Sequence, residues 1–258
     1  MGYWEDRQAQ AQENITNKSV RQTEKQLKKY YKDAMERTIE DFEATYEKIL
    51  STIEDGQEPT PADLYKLDKY WQSQGRLRAE LQKLGDKQAV LLSKQFETNF
   101  FEIYYSFGEL GGATFGSIDI PGVQQMINAI WCADGKSWSQ RIWENTELLA
   151  QSLNDELIHC VATGKKTTEL KNLLQERFGV SYSRADALVR TEMAHIQTEA
   201  AKKRYEDAGI QEVEVWAPKD ERRCEVCGEL HMKRFPANGK MPIPAHPRCR
   251  CCILPVIK

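Results

Sequence analysis

Between Gln8 and Glu54 the chain contains neither proline nor glycine, and apolar side chains return at Leu27, Tyr31, Met35, Phe42, Tyr46, Ile49 and Ile53, with Ile39 beside them. Steps of three, four and seven place these residues on one face of a helix that turns once every 3.6 residues, while Gln, Glu, Lys and Ala fill the remaining positions. A helix this long cannot bury its own stripe, so the rest of the fold has to supply long partners. "DGQEPTPADLY" ends the run: Gly56 suits a C-terminal cap, Thr60 is an N-cap candidate, and Pro61 fits the first turn of the next helix. That second helical stretch reaches about Leu110, with breaks expected near Gly75 or Gly85.

"GGATFGSIDIPG" then clusters glycine and proline, which predicts a hinge and a boundary near Gly111. Further helices are predicted over Val123–Trp131, Trp138–Thr163, Lys166–Phe178 and Ser183–Ala208, the last capped by Ser181 or Ser183 and stopped by Gly209. The texture changes only after that. "EVEVWAP" alternates Val213, Val215 and Ala217 with charged or aromatic residues, and "CRCCILPVI" carries a β-branched end, so both read as strands. The expectation is a mainly α protein: long N-terminal amphipathic helices (1–110), a central helical region (111–208) and a small C-terminal α+β module (209–258) that binds zinc.

Composition narrows the function classes. Of 258 residues 40% are hydrophobic and 29% charged, enough for a core. No apolar run approaches the ~20 residues of a membrane-spanning helix. The N-terminus, "MGYWEDRQAQAQENITNKS", lacks the basic, apolar and small-residue regions of a signal peptide, so the chain is expected to stay in a reducing cytoplasm without a membrane anchor. Seven cysteines are an odd number, and under those conditions they read as thiols or metal ligands rather than a disulfide framework. The net charge of −3 hides an asymmetry: from Lys219 to Lys258 nine Lys or Arg stand against four Asp or Glu. Arg222, Arg223, Lys233, Arg234, Arg248 and Arg250 are therefore candidate contacts to the phosphates of double-stranded DNA.

The C-terminal cysteines carry the strongest motif. Cys224 and Cys227 are separated by two residues, eighteen residues follow, and His246 and Cys249 repeat the same gap. Such Cys-x2-Cys and His-x2-Cys pairs can each turn two side chains onto one ion, and four protein ligands fill a tetrahedral zinc site. A filled site has no open position for water, so the zinc is expected to be structural. Cysteines spaced this way by chance are the competing explanation, and two pairs in register make it the weaker one. His231 and Cys251 are alternative ligands. Cys252 would point away if this segment is a strand, and Cys132 and Cys160 read as buried thiols in helices.

Glu192 and His195 lie three residues apart in "LVRTEMAHIQTEA" and share a helical face, a spacing found in metal and acid–base sites. One such pair is more simply read as hydrogen-bond or salt-bridge partners, together with Arg190, that fix the helix. No second Glu-x-x-His, Gly-x-Ser-x-Gly or phosphate-binding glycine loop accompanies it.

The run "WCADGKSWSQRIWENTELL", "SRADALVRTEMAHIQTEA", Tyr205, Gly209, Trp216, Asp220, "CEVC", Phe235 and "PAHPRCRC" resembles the phage head morphogenesis family, minor capsid proteins similar to the F protein of phage Mu. The resemblance covers roughly the second half of the chain, from Trp131 onward. It implies a protein made in the host bacterial cytoplasm and carried in few copies inside the phage head, associated with the portal and the capsid interior. There it would assist procapsid assembly, DNA packaging or DNA delivery. It also implies Cys224, Cys227, His246 and Cys249 as the metal-type residues and Arg190, Thr191 and Glu192 as an "RTE" motif element. The resemblance implies an acidic residue and glycine where this chain has His231 and Met232, which leaves the part of His231 open. Longer relatives carry toxin domains beyond the cysteine-rich segment, and none is expected here. A non-enzymatic assembly protein is thus the leading expectation. Its rival is a metal-dependent nuclease or other hydrolase working through Glu192 and His195, and a zinc-bearing adaptor unrelated to phage is a third reading.

Overall fold

The computed structural model describes residues 3–52, 60–108 and 118–257. The elements run α1 (Tyr3–Leu50), α2 (Pro61–Tyr65), α3 (Asp68–Ser106), α4 (Ile120–Ile127), α5 (Trp138–Ala162), α6 (Thr167–Asp207), β1 (Glu212–Trp216), α7 (Glu225–Leu230), β2 (Arg234–Pro236) and β3 (Cys252–Pro255). The protein is mainly helical with one small sheet, as expected. Gly56 and the boundary near Gly111 lie outside the described residues.

The apolar stripe of α1 is buried where the period put it: Leu27, Tyr31, Ile39, Phe42, Tyr46 and Ile49 are each at most 5% exposed. Two expectations about helix breaks need correction. Helix α3 runs unbroken through Gly75 and Gly85, and the interruption falls earlier, between α2 and α3. The helices predicted over Lys166–Phe178 and Ser183–Ala208 are one, α6. Ser181 does not cap a new helix; its hydroxyl meets that of Tyr31 at 3.2 Å and its carbonyl accepts from Asn145 Nδ2 at 2.9 Å. Helix α4 begins at Ile120, capped by Asp119, whose carboxylate accepts the Gly122 N–H.

Contacts divide the chain into two compact units. One comprises Lys25–Val90 and Ser139–Ala185. Its core packs the α1 stripe with Leu77, Leu81 and Leu84 of α3, Leu149, Leu153 and Leu157 of α5, and Leu170, Leu174 and Phe178 of α6. The Tyr46 hydroxyl reaches into this core and donates to the Cys160 carbonyl at 3.0 Å.

The other unit comprises Met1–Glu24, Leu91–Trp138 and Asp186–Lys258 and contains the sheet. Strand β1 is central in the order β2-β1-β3, antiparallel to both neighbours, with Val213 opposite Phe235 and Trp216 opposite Cys252. Val213 and Val215 face inward, as the alternation predicts, and are fully buried. The start of α1 lies against this sheet: Ala9 packs on Trp216, Cys252 and Leu254, and Gln12 Nε2 donates to the Ile253 carbonyl at 3.1 Å. Tyr205, near the end of α6, donates to the same carbonyl at 3.1 Å.

Candidate metal centre

Helix α7 sets the first donor pair. Cys224 is its N-cap, in extended conformation, and its sulfur accepts the Cys227 N–H at 3.4 Å, so one turn presents both sulfurs to the same side. The second pair comes from the turn before β3, closed by the Cys249 N–H on the His246 carbonyl at 3.2 Å. His246 Nδ1 donates to the Pro247 carbonyl at 2.8 Å. That bond fixes the tautomer and leaves the Nε2 lone pair facing Cys224 Sγ at 3.3 Å and Cys227 Sγ at 3.1 Å. Metal-ligating histidines are oriented in this way. Cys227 Sγ lies 3.8 Å from Cys249 Sγ, close to the ~3.8 Å edge of a tetrahedron with Zn–S near ~2.3 Å.

Five donors therefore converge in two groups that share Cys227. The ligand atoms of Cys224, Cys227 and His246 lie within 4.8 Å of one another, and so do those of Cys227, Cys249 and Cys251. The cluster can hold a metal ion.

Its electrostatics are divided, favouring thiolate at Cys249 and Cys224 and the protonated form at Cys227, Cys251 and His246. A hydrogen bond from Cys251 holds the Cys249 thiol down to about 5, against the burial that opposes it. The same bond pushes Cys251 up. The Cys227 backbone N–H lowers Cys224, whereas burial pushes Cys227 up to about 12. The bond to the Pro247 carbonyl raises His246. A metal bound here would have to displace these protons, because only thiolate and neutral imidazole ligate.

Ion pairs and hydrogen bonds tie the surrounding loops down. Arg250 makes two bonds of 2.6 Å to the carboxylate of Asp220, which holds Asp220 down to about 2. Arg248, between the two ligands of the second pair, donates its backbone N–H to Thr191 Oγ1 at 3.1 Å and its guanidinium to Asp186 at 2.8 Å. Arg190 joins the same network, pairing with Glu24 and, at 3.3 Å, with Asp186.

Residues 151–254 match the family described as Phage Mu protein F like protein. Over these residues the chain is similar to that family. The resemblance carried by "VRTE" through "HPRCRC" is thereby borne out, and the family points to phage head morphogenesis. An NAD(+)–arginine ADP-ribosyltransferase, EFV, of Enterococcus faecalis is 25% identical over 185 residues, 64% of this chain and 38% of that protein. The chain thus spans well under half the length of this relative. No solved structure matches.

The matched region contains the whole donor cluster and, apart from Glu24, the network around it. Of the alternative ligands, Cys251 belongs to the second donor group. His231 is engaged elsewhere: its Nδ1 accepts the Ala217 N–H at 3.3 Å and its ring meets Trp216 edge-on. Cys252 is buried in β3, Cys160 is buried and Cys132 half-buried. Glu192 and His195 are buried against Trp131; Glu192 accepts its indole N–H at 2.9 Å, and the His195 ring stacks on it with centroids 4.4 Å apart. Among the candidate phosphate contacts, Arg222, Arg223 and Lys233 are exposed, whereas Arg234, Arg248 and Arg250 face Glu214, Asp186 and Asp220.

Sequence reasoning missed the parts played by Thr191, Asp186 and Asp220. All three stood only among the matched positions of the family resemblance, Asp186 and Thr191 within "SRADALVRTEMAHIQTEA".

Proposed function

We propose that this protein is a minor component of a phage head, bound at the portal and capsid interior, where it assists procapsid assembly, DNA packaging or DNA delivery. The observation that carries the reading is the phage Mu F-like match over residues 151–254. The geometry supports a role in assembly: Glu192 and His195, on which a hydrolase would depend, are packed on Trp131. The zinc is structural in this reading, held by Cys224, Cys227, His246 and Cys249, with Cys251 as the competing fourth donor. Bound there, it would fasten α7 to the turn before β3 and stabilise a segment with little core of its own. The transferase activity in the E. faecalis relative's name is left with that protein, of which this chain covers 38%. Among the described residues no helix is long and apolar enough to cross a membrane.

The test is purification of procapsids and mature heads from cells producing the phage, with the protein tagged and the portal protein followed beside it. A few copies per head that cross-link to the portal are expected. Heads that form with normal DNA content and lack the protein would overturn the reading.

A further inference from the structure

Arg248 lies between His246 and Cys249 and has φ of 61°, the left-handed region that a residue with a side chain seldom occupies. Its neighbours must hold it there, and two bonds that do so come from α6. Thr191 Oγ1 donates to the Ala187 carbonyl at 2.6 Å, which commits its only proton and leaves a lone pair for the Arg248 N–H at 3.1 Å. Asp186 takes the Arg248 guanidinium at 2.8 Å and is itself steadied by Arg190. These contacts span 57 and 62 residues of chain, so they register the ligand turn against α6 rather than within its own loop.

We infer that Thr191 and Asp186 are positioning residues for the metal centre: by gripping Arg248 they hold His246 and Cys249 in ligating geometry against Cys224 and Cys227. This rests on the metal reading of the cluster. Without the grip, Arg248 relaxes to negative φ and the two ligands of the second pair rotate relative to one another. An outer-shell contact of this kind changes how tightly a metal is held even where it hardly changes how stably the chain folds.

The experiment uses the full chain titrated with Co(II) alone, reading thiolate-to-metal absorption, and then with Zn(II) in competition. The variants are Thr191→Val, Asp186→Asn and Thr191→Ser. Thr198→Val is the control, because its hydroxyl makes the same bond to the carbonyl four residues back, at 3.0 Å to Ala194. Thr191→Val and Asp186→Asn are expected to weaken zinc binding by about tenfold to hundredfold and to speed its transfer to a competing chelator. Thr191→Ser, which keeps the acceptor, and Thr198→Val should bind as the wild type does. Should Thr191→Val fail to fold by circular dichroism, Asp186→Asn carries the comparison. Wild type that loads Co(II) while Thr191→Val and Asp186→Asn hold zinc equally well would overturn the positioning role alone. Wild type that takes up no metal would overturn the metal reading and this inference with it.

Discussion

Trp143 packs directly over Gly85 in the middle of α3: a Cβ added there would stand 2.8 Å from Cη2 and closer still to Cζ3. Gly85→Ala therefore has to displace a half-buried indole and is expected to cost about 2 kcal/mol. Gly75, exposed on the same helix, has nothing within 4 Å of such a Cβ, so Gly75→Ala should gain up to about 1 kcal/mol from helix propensity. Thermal melts of the two variants should shift in opposite directions. His195 makes a second case at this scale. Burial, with Lys202 adding to it, lowers its pKa from 6.5 to about 4, so the ring stays neutral in the folded protein. The unfolded chain takes up a proton first as pH falls. The stability this histidine contributes is complete above pH 6.5 and is lost progressively down to about 4, amounting to at most about 3 kcal/mol. His195→Phe keeps a ring over Trp131, and its denaturant midpoint should fall less than that of wild type between pH 6.5 and pH 4; equal falls would refute the assignment.

Helix α6 shows how an element can override its own punctuation. The sequence predicts a break after Phe178 and a cap at Ser181 or Ser183, yet the helix runs through: Ser181 turns its hydroxyl toward Tyr31 of α1, and Asn145 of α5 bonds both the Tyr31 hydroxyl at 3.1 Å and the Ser181 carbonyl. Tyr31→Phe removes the centre of this buried network and should cost about 1–2 kcal/mol, with amide hydrogen exchange rising along α6 around Ser181. Exchange that rises evenly over the chain would argue against a local role. The long helices were legible because their apolar period repeats over many turns. Helix α7 was not, being six residues long and capped by a cysteine rather than by Ser, Thr, Asp or Asn. Strand β2, three residues ending in proline, was equally silent. Spacing pointed to Cys224, Cys227, His246 and Cys249 but left Cys251 and His231 as alternatives, and it did not mark Cys251 as part of the second donor group. It could not reveal Thr191 and Asp186 as their supports, since no local pattern marks partners 57 and 62 residues away.

For the molecule as a whole, the basic C-terminal stretch makes DNA contact a matter of which cations are exposed. Arg222, Arg223, Lys233, Arg234 and Arg248 all are, but Arg234 and Arg248, like the half-buried Arg250, stand beside the carboxylates of Glu214, Asp186 and Asp220, which leaves Arg222, Arg223 and Lys233 as the candidate contacts. Binding through three phosphates should be weak, indifferent to sequence, and fall with a log–log salt slope of about −2.7. Fluorescence anisotropy on a labelled duplex tests this, with an Arg222→Glu/Arg223→Glu/Lys233→Glu chain expected to lose binding. No binding at low salt would remove DNA from the list of partners. The bond from Gln12 to Ile253 spans 241 residues, and it orders events during synthesis. The unit built from residues 25–90 and 139–185 has all its parts while the later residues are still being made. The face of α1 around Ala9 and Gln12 must wait for β3, on the order of ten seconds at ribosomal speed. Nascent chains thus expose a surface that completed ones conceal, and anything that recognises the sheet-bearing unit selects molecules whose translation has already passed Ile253.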